Sequence, residues 1–181
     1  MDEQDGQAKR DAVIVALEIA GHTMAHALYT LSAMSEADTF QPFCLYQSAD
    51  EISGATFQLH REDGLDGAKA NVRETIAANA ECWAFARLTK LDLPTEGTTS
   101  DAIVVDASAE GLDVGVTIVQ PVTLSPLDAS VRPYFVSGGQ FLKRQDTEPL
   151  LTHVANGAKN HSHISQRTAW RWIEPGPAAE D

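Results

Sequence analysis

Three strand-like segments, Cys82–Leu91, Asp101–Ala107 and Val114–Val122, follow one another with only turn-forming residues between them. Connections that short cannot hold a crossover helix, so the strands must run antiparallel, as a meander. Leu93-Pro94-Thr95-Glu96-Gly97 supplies the first turn and Glu110-Gly111-Leu112-Asp113 the second. Ile103-Val104-Val105 and Val116-Thr117-Ile118-Val119 are β-branched runs of the kind that fill central strands. Pro121 closes the third strand, since it has no N–H to give an interior ladder. In the first strand Trp83, Phe85 and Arg87 share one face, and Cys82, Ala84, Ala86 and Leu88 the other.

The residues before the meander carry a helix signal from Ala8 to Met34. Val13, Ile14, Leu17, Gly21, Met24, Leu28 and Leu31 fall on one stripe, and Gly21 on that stripe points to close contact with another element. Phe43–Gln47 and Ala55–His60 read as a hairpin whose linker holds Ser48, Asp50, Ser53 and Gly54. Asp66 reads as the N-cap of a second helix, Gly67 to Asn79, with Ala68, Val72, Ile76 and Ala80 on its buried edge. Beyond the meander, Tyr134–Val136 reads as a strand stopped by Ser137-Gly138-Gly139. Pro149 then opens a short helix through Leu150, Leu151 and Val154, with Gly157 as its stop. Thr168 to Ile173 reads as a last edge strand. Residues 1–7 and 174–181 read as frayed ends. The sum is one α+β domain over residues 1–181. A mostly antiparallel sheet, a hairpin plus the three-stranded meander, packs against the long N-terminal helix and the second helix, which lie on one side of it.

Charge narrows the functional classes. The net charge is -13, and it is unevenly spread. From Glu36 to Asp66 there are seven acids and one base, and from Asp92 to Asp113 six acids and no base. From Arg132 to Arg171 the sign reverses, with six bases and two acids. Such a chain repels phosphate backbones, which argues against nucleic acid as the main partner. Cys44 and Cys82, the two cysteines, sit in apolar strand-like runs and read as buried thiols of a reducing compartment. The acidic N-terminus does not resemble a secretory leader, and no unbroken run of about 18 apolar residues occurs. These features predict a cytoplasmic protein without membrane spans.

Two constellations could carry chemistry. Glu18, His22 and His26 repeat at i, i+4 and i+8 on one face of the first helix, off its apolar stripe. With His161 and His163 they make a candidate set for a divalent metal. Read conservatively, the helix residues are a solvated face and His161 and His163 belong to a polar loop. The HExxH kind of motif owes its strength to a base between its histidines, and Thr23, Met24 and Ala25 fill that slot here. The second constellation is Trp170, Arg171 and Trp172 with Arg167 and Arg132, residue types that dominate binding surfaces. No G-x-S-x-G elbow, phosphate loop or dinucleotide-binding glycine motif occurs.

The order of elements from Ala8 to Val122 resembles small single-domain bacterial proteins of unassigned function, at the level of pattern, and transfers no functional residue. The leading expectation is an acidic cytoplasmic binding or accessory protein without catalytic activity. It would neutralise a basic protein partner, as a toxin-immunity protein does, or self-associate as a homodimer. The alternatives are a metal-binding module or metal-dependent enzyme built on Glu18, His22 and His26, and a structural subunit that uses the Trp170/Trp172 edge.

Overall fold

The computed structural model describes residues 3–35, 37–49, 51–57, 64–93, 99–137 and 139–161. The meander forms as β3 (Cys82–Asp92), β4 (Thr99–Ala109) and β5 (Val116–Pro121). β3 and β4 pair along their whole length, from Cys82 opposite Ala109 to Asp92 opposite Thr99. Before it comes the hairpin of β1 (Phe43–Ser48) and β2 (Glu51–Thr56), and β1 pairs with β3. After it come a two-stranded ribbon, β6 (Thr123–Leu124) with β7 (Leu127–Asp128), and two short strands, β8 (Tyr134–Ser137) and β9 (Gln140–Phe141). The main sheet has seven strands in the order β2-β1-β3-β4-β5-β8-β9, every pair antiparallel. The fold is α+β, and three α-helices stand beside the sheet among the described residues: α1 (Glu3–Ala33), α2 (Gly64–Asn71) and α3 (Arg144–Lys159).

Alternation along β3 and β4 decides what lies on each face. Cys82, Ala84 and Ala86, with Ile103, Val105 and Ala107, join Leu17, Ala20, Met24 and Leu28 of α1 and Val154 and Ala158 of α3 in the main core. The opposite face is buried too. There Cys44 and Phe85 pack on Ala68 of α2 and on Val72 and Ile76 just beyond it. The sequence reading set the helices on one side. Instead α2 covers the other face, because the central strands are apolar on both.

Several boundaries differ from the sequence reading, each for a local reason. Residues 3–7, read as a frayed end, belong to α1. The hairpin closes with Ser48 opposite Glu51, not across 48–54, so Ser53 and Gly54 lie inside β2. Ala49 takes the positive φ of 54° that a two-residue turn demands, and its N–H donates to the Glu81 carboxylate at 3.2 Å. Gly54 leaves room for Leu45, whose side chain lies 3.1 Å from where a Cβ would stand. Asp66 is not an N-cap; it sits in the first turn of a helix that starts at Gly64. α2 then widens into a π turn, Val72–Ile76, and both Val72 and Ile76 stay buried.

The largest change concerns α3. Pro149 lies inside it, and Gly157 is no stop but part of the helix. A Cβ on Gly157 would stand 1.8 Å from the Glu18 carbonyl oxygen, and one on Gly21 only 1.9 Å from that of Val154. The two helices therefore touch backbone to backbone, which only glycine permits. α1 is enclosed by the sheet on one side and α3 on the other, so Ala16, Ile19, Ala20, Thr23 and Ala27 are buried beyond the predicted stripe. By length and composition residues 5–33 also meet the requirement for a membrane span, at a mean hydropathy of 1.3. The expectation of no such span rested on the lack of an unbroken apolar run; in this fold 56% of the apolar window is buried, with Leu17, Ala20, Met24 and Leu28 in the core.

Candidate functional site

The glycine contact sets the end of α3 beside the middle of α1, and the chain turns there. The N–H of Asn160 donates to the Gly157 carbonyl at 3.2 Å and that of His161 to the Ala158 carbonyl at 3.1 Å. This turn drives the His161 ring between the two histidines of α1. His26 Nδ1 and His161 Nε2 stand 3.0 Å apart, one donating and the other accepting according to tautomer. The His22 ring centroid is 4.9 Å from that of His161. Tyr29, one turn past His26, brings its ring within 6.2 Å of His161, and Phe43 of β1 meets His26 edge-on at 5.0 Å.

This placement differs from the polar loop and solvated face of the conservative reading. His161 is 5% exposed, and His22 and His26 are half-buried. Burial, and secondarily the charge that His26 can carry, hold the His22 imidazole below the usual histidine range. Glu18 lies one turn before His22, its backbone against Gly157 and its side chain bordering the same cleft as His22. That cleft holds about 360 Å³ and is walled on the far side by Gln47, Ile52, Glu81 and Cys82. A second cleft of about 510 Å³ opens on the His26 side, between Thr30 of α1 with Met34 just past its end and Phe43, Leu45 and Gly54 of the hairpin. The histidine seam thus divides a trough that α1 leaves uncovered over the hairpin.

Among the described residues no group of three His, Cys, Asp or Glu side chains is placed to hold a metal ion together. Three imidazoles in contact can nonetheless share a proton or present lone pairs to a cation. Nucleophilic chemistry finds less support. Cys82 borders the His22 cleft, but burial and the Glu81 charge push its thiol up and keep it protonated. Cys44 lies on the opposite face, where burial pushes its thiol up to about 12.

The other predicted site residues fall elsewhere. Arg132 is exposed and pairs with Glu148 of α3 at 2.6 Å, far in sequence from the seam. His163, Arg167, Trp170, Arg171 and Trp172 lie outside the described residues, as does the predicted strand from Thr168 to Ile173. Asp101 and Asp106, two of the acids of the meander, have partners within the sheet. Lys90 pairs with Asp101, while Arg87 of β3 and Thr117 of β5 both donate to Asp106. Sequence reasoning missed Tyr29 and Phe43 as walls of the seam. It also missed the signal for His161: the stripe Leu151, Val154, Ala158 runs at spacings of 3 and 4 straight on to residue 161.

No protein-family model, curated protein or solved structure matches this chain.

Proposed function

We propose that this protein is a non-catalytic binding protein that takes up a basic protein partner along the open side of its β1–β2 hairpin. The observation that carries the reading is the edge strand. β2 has β1 as its one strand partner among the described residues, and Ile52 on it is 45% exposed beside an exposed Glu51. Behind it lies the uncovered trough, with Glu18 and Glu81 on the walls of its first cleft. An extended segment that adds to such an edge gains main-chain hydrogen bonds, while pockets behind it read alternate side chains. A net charge of -13 favours lysine- and arginine-rich segments and speeds their encounter. Neutralisation of a basic toxin is one concrete form.

The test uses the whole chain as bait in an extract of its host, beside the double variant Glu51→Lys/Glu81→Lys. The expected result is a basic protein held at low ionic strength and released at high. The double variant should not retain it. Capture that ignores both salt and the charge reversal, or no capture, ends this reading. Light scattering of the purified chain identifies a second copy as the occupant instead. A second reading, a metal-binding module, is favoured by the meeting of His22, His26 and His161 on the seam.

A further inference from the structure

We propose that His26 and His161 form the nucleus of a divalent-metal site on the α1–α3 seam, with His22 as the third imidazole. The ions that fit are those of late first-row metals that prefer imidazole, namely zinc, nickel and copper. The inference stands on the seam's own geometry and does not depend on the basic-partner reading.

The two nitrogens are already at a chelating separation. At 3.0 Å apart, His26 Nδ1 and His161 Nε2 subtend roughly 95° at an ion 2.0–2.1 Å from each, close to the cis angle of a square-planar or octahedral site. Opening the pair to roughly 3.3 Å gives the tetrahedral angle of zinc. Both rings must tilt to aim their lone pairs at one point off the line between them. His22 must also turn about its side-chain bonds, because as placed the three do not converge. The cleft of about 360 Å³ beside His22 gives that side chain room and the ion a route from solvent. Glu18 borders the same cleft one turn before His22, where a carboxylate would orient that imidazole.

The scaffold suits a rigid site. His22 and His26 are fixed one turn apart on a helix, and the Gly21 and Gly157 contacts lock that helix to the element that delivers His161. His161 is 5% exposed, so a ligand there comes largely desolvated. The acidic surface draws cations towards the cleft. Without an ion the same two nitrogens share a single proton, which is the competing state.

The experiment uses the full chain, purified without a histidine tag and stripped with a chelator. Zinc, nickel, copper and cobalt salts are then titrated by calorimetry, with thermal unfolding measured in parallel. The expected result is about one equivalent bound, a raised unfolding temperature, and a cobalt absorption spectrum with nitrogen ligation. His26→Gln and His161→Gln should each weaken binding by at least roughly 100-fold, beyond what supporting residues usually carry. His153→Gln, two turns of α3 before His161, should bind as the wild type does. Where a seam variant fails to fold, imidazole nitrogen NMR of the wild type decides: nickel or copper must broaden His26 and His161 first. Binding that survives both seam variants, broadening elsewhere, or no uptake at all overturns the proposal.

Discussion

The two faces of the sheet are built on different terms. On one, α1 and α3 lie over a continuous core that runs from Phe43 to Phe135, and their own backbones meet at Gly21 and Gly157. On the other, α2 covers only a patch around Cys44 and Phe85. A second patch, from Leu93 to Tyr134, lies apart from it. Polar groups are handled just as differently. The helical face takes three imidazoles into its seam, where they meet one another. The α2 face carries Arg87, Asp106 and Thr117 on adjacent strands, a carboxylate with a donor on either side. The comparison teaches where adaptability resides. Side-chain hydrogen bonds tie each member of the β-trio to its neighbour on the next strand, whereas the seam's rings are positioned by the packing of two helices.

The strongest way to break this contrast is at the glycines. Gly157→Ala puts a methyl into the Glu18 carbonyl and should destabilise by about 3 kcal/mol, although alanine is the better helix former by about 1 kcal/mol. Chemical denaturation measures it. A neutral or stabilising result means that the helices do not touch there. Second comes the β-trio. Asp106→Ala strips Arg87, whose side chain is 17% exposed, of its carboxylate and should cost about 2 kcal/mol. Asp101→Ala, facing a Lys90 that is 69% exposed, should cost less than about 0.5 kcal/mol. Equal losses would show that the two pairs are energetically alike.

At neutral pH the smallest effect comes from one thiol on each face, which matters only once the solution is alkaline. Both folded thiols lie above the ordinary 9.0, Cys44 at about 12. The folded chain thus keeps protons that the unfolded chain gives up. Stability is full below pH 9.0 and falls as pH rises towards 12, by up to roughly 1.4 kcal/mol per pH unit from Cys44. Stability should therefore fall more steeply between pH 9 and about 12 in the wild type than in Cys44→Ala, as denaturation at a series of pH values would show. In the native state a maleimide should reach Cys82, on the wall of the open cleft, before Cys44 beneath α2. The reverse order would show that α2 opens more readily than the seam's trough admits reagents.

Much of the sheet was legible because its information is local. β-branched runs, Pro121 and the turn residues name the meander strands within two residues of their ends. Gly21 signalled a close approach for the same reason, by standing where an apolar side chain was due. Gly157 was illegible because a glycine after a helical stripe looks the same whether it ends the helix or meets another backbone. Ala49 was missed because its positive φ is secured by Glu81, a residue 32 positions away. The candidate site divides along the same line. The i, i+4 spacing placed His22 and His26 on one face, whereas the stripe of Leu151, Val154 and Ala158 that leads to His161 was cut short by reading Gly157 as a stop.

The sequence by itself determined an antiparallel sheet, a long first helix and a strongly acidic chain, since periodicity, turn chemistry and charge are carried by neighbours. Tertiary structure alone decided that α2 crosses to the far face, that two glycines bring α1 and α3 together, and that His161 enters between His22 and His26. Those outcomes depend on which surfaces remain to be buried once the strands have paired, and on backbones that approach from distant parts of the chain.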